Sequence, residues 1–400
     1  MAVLVMVFCP IANANTAGNV VVIQGNGQDQ TQEVQALLSQ NGNYQFQGIV
    51  KTRSISITGH NITLDFAPGA AWQPSAEVDI LFTCNDCNLN IGSLLMNGVG
   101  YAQEGIRVNG GTLVFGDVTF INFGTLRHQA TNIVAGMYLN RVKSVQGGTL
   151  KASHLNSVGN GIFGDNVGAA RGLVLFGSGP YNIGEVTVDL TGSDAEEDDA
   201  FQVNVGNTGG VINKLTVIYN GNTRRAAKFQ SGQNVINNID IHKAKDFVPV
   251  SSQTDAGRRN FNCVSWEADT SGSLDIMGGK VDASGFTRGV GNNAPLSTAS
   301  IRVHPGVTLI GATKHVIRVN PQTGKSENTE TRGFYTSVFD SGSGIEGATV
   351  INFSVGATIR ANGAYSKDTT YEYPGRIGIE AFVPLSPMFG NRVVLLQKGL

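Results

Sequence analysis

The densest chemistry in this chain is acidic: Asp194-Ala195-Glu196-Glu197-Asp198-Asp199 places five carboxylates in six positions, in a protein with 30 acidic residues. Crowded carboxylates raise one another's pKa, which is how a pair divides into proton donor and base. Asp198, Asp199 and Glu197 are therefore the candidate catalytic acids or bases. Read more plainly, the cluster is a solvated acidic turn or a loop that attracts calcium. No other cofactor and no metal centre is expected. Cys84-Asn85-Asp86-Cys87 is a lone CxxC with no second pair or histidine cluster, which argues against zinc and leaves a short disulfide for an exported protein. The six histidines are scattered, none beside the acidic run, and are expected to be structural or solvent-exposed.

The elements that must position these groups are short strands. Glycine numbers 52, charged residues are only 14% and hydrophobic residues 41%, a composition of strands punctuated by turns rather than of a linker. The one helical signal is Gln30–Ser39, with Asp29 as N-cap and Asn41-Gly42 as the stop. Elsewhere the chain alternates with period two, as in Asn61-Ile62-Thr63-Leu64-Asp65-Phe66. Four such runs align: Gly172–Phe176, Ala200–Asn204, Ala226–Gln230 and Asn260–Val264, spaced by 28, 26 and 34 residues. Each is followed by a second run: Glu185–Leu190, Lys214–Tyr219, Asn238–His242 and Ser273–Met277. Coils of this length bury their apolar face only by stacking on neighbours, so a β-solenoid is favoured over a hairpin-built sandwich or barrel.

The alignment converts single residues into a surface. Leu173, Leu175, Phe201, Val203, Ala227, Phe229, Phe261 and Cys263 face inward. One residue before each run stand Arg171, Asp199, Arg225 and Arg259. Two residues into it stand Val174, Gln202, Lys228 and Asn262, and two further on Phe176, Asn204, Gln230 and Val264. Successive coils are about 4.8 Å apart, so Arg171, Asp199, Gln202, Asn204, Arg225, Lys228, Gln230, Arg259 and Asn262 form a stripe able to bind a polymer. Tyr138 of the earlier run Gly136–Asn140 extends it as a stacking platform. Polar ladders also stabilise solenoids without any ligand, and that reading competes with the functional one.

Three motifs carry a resemblance. Gly25-Asn26-Gly27-Gln28-Asp29-Gln30-Thr31 is similar to the entry of pectate-lyase-like β-helix proteins, which precedes a capping helix. Asn61–Phe66 is similar to the first coils of that superfamily. Asp198-Asp199-Ala200-Phe201-Gln202-Val203 resembles strands of polygalacturonases and phage tailspike depolymerases. The resemblance implies an all-β fold: a single-stranded right-handed parallel β-helix with a short N-terminal capping helix. It implies a secreted bacterial enzyme or virion protein that degrades polysaccharide, as glycoside hydrolase or lyase. The alternative is a non-catalytic glycan-binding solenoid, such as a spike shaft or adhesin. Tailspikes commonly form homotrimers, and the aromatic segment Thr370–Pro374 could serve that. The N-T-D and G-H-G motifs of polygalacturonases are missing, and Arg225-x-x-Lys228 only approximates their R-x-K.

The expected organisation is a leader or signal at 1–19, a β-helix domain at 20–320, and C-terminal coils with a cap at 321–400. The apolar start followed by Ala12-Asn13-Ala14 suits signal cleavage, although no Lys or Arg precedes it. A net charge of −2 gives no electrostatic case for nucleic acid. No stretch is long and apolar enough for a membrane span.

Overall fold

The computed structural model describes residues 19–124, 134–155, 170–193, 198–248, 262–294 and 297–310, with isolated strand backbones beyond; Val134 and Asp198 contribute backbone only. The expected leader, Glu197 and the rest of the acidic turn, Arg259, Phe261 and most of the C-terminal segment lie outside the described residues.

The chain is almost entirely strand, laid down in parallel into stacked sheets. One sheet has ten strands in strict chain order: β1 (Ile55–Thr58), β2 (Val78–Asn85), β3 (Ala102–Asn109), β4 (Val134–Asn140), β5 (Ala170–Phe176), β6 (Asp198–Val203), β7 (Thr223–Phe229), β8 (Asn262–Trp266), β9 (Arg288–Asn292) and β10 (Arg332–Thr336). The strands between them build a second, nineteen-stranded sheet, in which Thr112–Ile121, Ser144–Ser153, Tyr181–Asp189, Gly209–Tyr219 and Gly232–Lys243 pair successively in parallel. Parallel neighbours require a crossover, and here each sheet supplies the crossover of the other. Among the described pairings one is antiparallel, Val316–Val319 with Ser326–Thr329. The hairpin-built alternative is thereby excluded for the described coils.

The inner faces of both sheets share one apolar core. Leu173, Leu175, Phe201, Val203, Ala227, Phe229 and Cys263 are fully buried in it, as the alternation requires. Successive coils stack like on like: the Phe46 and Phe66 rings are stacked with centroids 4.6 Å apart and planes nearly parallel. The helix α1 (Thr31–Leu38) buries Val34 and Leu38. It starts one residue later than the sequence suggests, with Gln30 at the N-cap; Asp29 Oδ1 accepts the Thr31 N–H at 2.9 Å. Asparagines form ladders at the strand ends, Asn140 donating to Asn109 at 3.0 Å and Asn109 to Asn85 at 2.8 Å. Cys84 and Cys87 are joined in a disulfide.

Two expected registers are corrected. Glu185, Lys214 and Asn238 do stack. However, Ser273–Ile276 pairs with Gln233–Ile236, and it is Gly279–Val281 that continues Ile239–Ile241. The strand simply breaks at Met277-Gly278 into two pieces. In the ten-stranded sheet Lys228 faces Ser265, not Asn262, because Ala227 pairs Val264 and Phe229 pairs Trp266. The true offset is 37 residues, three more than the sequence alignment allowed.

Candidate functional site

A small-residue column sets up the outer face. Strict alternation would send the residue before each aligned run inward, since it has the parity of Leu173 or Ile106. Instead the chain turns a corner at Gly105, Gly136 and Gly172. A Cβ on Gly105 would stand 2.6 Å from the Gly136 carbonyl oxygen and from the Phe120 ring; on Gly172 it would strike Val188 at 2.4 Å. These positions therefore point into the core, as do the residues that follow them, and parity resets. Ala200 and Ala226 continue the column. The consequence is that two columns, not one, reach the outer face: Glu104, Ala135, Arg171, Asp199 and Arg225, and beside it Arg107, Tyr138, Val174, Gln202, Lys228 and Ser265.

The centre of this face is an ionic cluster on Asp199, itself 2% exposed. Arg225 Nη1 donates to Asp199 Oδ1 at 3.0 Å, Lys228 Nζ lies 3.5 Å from Oδ2, and Arg171 Nη2 lies 3.8 Å from Oδ2. Burial works to raise the Asp199 pKa, but Arg225, Lys228, Arg171 and Arg224 together outweigh it and hold the carboxyl ionised, well below its usual range. The Lys228 ammonium pKa is lowered as well, here by desolvation, which Asp199 only partly offsets. The second arm of Arg225 donates from Nη2 to Glu267 at 2.9 Å. Glu267 also accepts from Ser265 Oγ and Asn262 Nδ2, both at 2.6 Å, and from Asn293 at 3.3 Å. Burial again opposes, and Arg225 with these hydrogen bonds wins, so its pKa is lowered.

Three coils upstream is a second cluster. Glu104, 1% exposed, receives Arg107 Nε at 2.9 Å and Nη2 on its other oxygen. The same guanidinium lies 4.9 Å over the Tyr138 ring. Here desolvation exceeds the pull of Arg107, and the Glu104 pKa is pushed up to about 7. Between the clusters the face is incomplete. Arg171 Nε and Nη1 and Gln202 Oε1 are buried with no hydrogen-bond partner, although the Gln202 amide nitrogen is taken by Asn204 Oδ1.

The structure thus gathers Arg171, Asp199, Gln202, Arg225 and Lys228 as expected, places Tyr138 with the upstream cluster, and leaves Asn204 and Gln230 at the strand ends. Asn262 is not in the Lys228 column; it precedes Ser265 by three and serves Glu267. Val264 pairs with Ala227 and faces the core; the place beside Gln230 expected for Val264 falls to Glu267, whose N–H donates to the Phe229 carbonyl at 2.9 Å. Glu104 and Glu267 escaped the sequence reading. Continuing the aligned runs one coil back from Gly136 to Gly105 would have found the first.

The described residues hold no group of three or more His, Cys, Asp or Glu side chains placed to bind a metal ion, and no helix long and apolar enough to cross a membrane. Fold and site define a class, a stacked parallel-β protein with an ionic outer stripe. No family model, no curated protein and no solved structure matches the chain.

Proposed function

We propose that this protein is a right-handed parallel β-helix that binds an acidic polysaccharide along the outer face of its ten-stranded sheet and cleaves it by β-elimination. The observation that carries this reading is the unfinished middle of the stripe, where Arg171 and Gln202 keep buried polar atoms without partners. Native structures satisfy such atoms, and a sugar carboxylate with its hydroxyls offers the missing acceptors and donor. Four cations surround one carboxylate at Asp199, so the site draws anions although the whole protein carries −2.

Elimination fits these groups better than hydrolysis. A hydrolase needs one protonated carboxyl beside the scissile bond, and both Asp199 and Glu267 are held ionised by Arg225. Lys228, with its lowered pKa, can release its proton and act as base. It removes the proton at C5 of a uronate whose carboxylate Arg171 and Arg225 neutralise. The C5–H electron pair forms the C4–C5 double bond, the C4–O4 bond breaks, and O4 takes a proton from solvent. Asp199 then positions the cations rather than donating a proton. The Cys84–Cys87 disulfide supports an oxidising, extracellular setting.

A panel of polygalacturonate, alginate, hyaluronan and neutral dextran, read for ultraviolet-absorbing unsaturated product and for reducing ends, tests this. Both signals are expected on at least one acidic polymer and neither on dextran, and Lys228→Gln should abolish both. Reducing ends without unsaturated product would instead mean hydrolysis, and retention without either would mean a binding protein.

A further inference from the structure

The two clusters on the outer face differ in charge, and the difference specifies a substrate. Around Asp199 cations are in excess, whereas the upstream cluster is balanced: one carboxylate, Glu104, and one guanidinium, Arg107, in a bidentate pair. A balanced pair has no net attraction for a second carboxylate, but its remaining hydrogen-bonding edges suit hydroxyls. Glu104 engages Arg107 through Nε and Nη2, so the Nη1 edge is turned away from it. The Arg107 side chain is 32% exposed. Tyr138 stays a neutral phenol, its pKa raised by burial, and can both donate and accept. Arg107 and Tyr138 occupy the same column as Gln202 and Lys228, and the two clusters lie three strands apart, Glu104 from Asp199 and Tyr138 from Lys228. That is roughly 14 Å along the stack, about three units of an extended sugar chain, an odd number that sets the two sites on different sugars of a disaccharide repeat.

We infer that Glu104, Arg107 and Tyr138 form a second subsite that takes an uncharged sugar through its hydroxyls, so that the preferred polymer is a heteropolysaccharide in which acidic and neutral sugars recur. This rests on the reading of the Asp199 cluster as the acidic-sugar site. Arg107 and Tyr138 touch the sugar, and Glu104 is a positioning residue that holds the guanidinium over the ring. A homopolymer of uronic acid would set a carboxylate against the buried Glu104 carboxylate and be disfavoured.

Affinity electrophoresis of the full chain in native gels containing hyaluronan or xanthan, against polygalacturonate or polymannuronate, decides the matter. The expected result is stronger retention by at least one of the two heteropolymers. There Arg107→Gln should weaken binding about tenfold, the loss of one charge-assisted contact, with a smaller loss on the homopolymers. Tyr138→Phe, which keeps the ring and removes only the hydroxyl, guards against misfolding of the first variant and should weaken retention on the same gel. Homopolymers retained as well as heteropolymers, an equal loss on both classes, or retention on none overturns the inference. Retention sensitive to Arg107→Gln without unsaturated product would sink the lyase reading and leave this subsite standing; product formation indifferent to Arg107→Gln would do the reverse.

Discussion

At the residue scale, the carboxylates of this face divide by what surrounds them. Asp199 and Glu267 each meet Arg225 and are held low; Glu104, buried as deeply as Asp199, pairs with Arg107 alone, and desolvation pushes it from its ordinary 4.5 to about 7. The sign of each contribution to stability follows. Glu104 has a folded-state pKa above its unfolded value, so its contribution is full below pH 4.5 and is lost as pH rises through about 7. Asp199 and Glu267 have lowered values, and theirs is lost only as pH falls below the ordinary carboxylate range. Urea unfolding of the wild type should therefore show a loss of about 3 kcal/mol between about pH 5 and about pH 8. Glu104→Gln should flatten that slope; an unchanged slope in the variant would show that another group carries it. Asp199, Arg225, Lys228 and Gln202 could be found from sequence because their offsets of 26 and 28 residues are short and regular. Glu267 could not, because the longer connection before β8 conceals three residues of register, and no alternation in Asn260–Val264 reveals the slip.

At the element scale, the inward-facing strand residues were legible because burial on one face of a strand enforces period two. What was not legible was the parity reset. The alternation of Leu173 and Leu175 predicts an inward Arg171, yet Arg171 reaches Asp199 on the outside. The corner at Gly105, Gly136 and Gly172 reconciles the two, since a residue without a side chain leaves room for the next strand's carbonyl at Gly105 and Gly136 and for the Val188 side chain at Gly172. Gly105→Ala should cost about 1–3 kcal/mol by overpacking against the Gly136 carbonyl and Phe120. It should also weaken polysaccharide binding, because Glu104 and Arg107 flank the same corner. Chemical denaturation together with the retention assay checks both; a stable variant that still binds would show that the corner tolerates a methyl group. The ladders of Asn85, Asn109 and Asn140 mark the other end of these strands. They show that stacked polar residues can be purely architectural, which is why the unpartnered atoms of Arg171 and Gln202 weigh more than the number of polar residues in the stripe.

At the scale of the whole molecule, the chain reads as a one-dimensional stack in which each coil touches chiefly the coils before and after it. Overall architecture was the most legible feature, because a repeat imposes the same pattern many times. Chemistry was the least, because it depends on how far two rungs stand apart and what lies between them. That spacing gives the stack a property no compact enzyme has: its two sugar sites differ by a whole number of rungs, and the number can be edited. Duplicating one complete coil between β4 and β5 would move Arg107 and Tyr138 one sugar further from Lys228. On a polymer with a disaccharide repeat this should put the sites out of phase and weaken retention, and a second duplicated coil should restore it. A steady decline with each added coil would show that the sites are not read together. The protein would then behave as a vernier against its substrate, matching the period of a polypeptide to the period of a glycan.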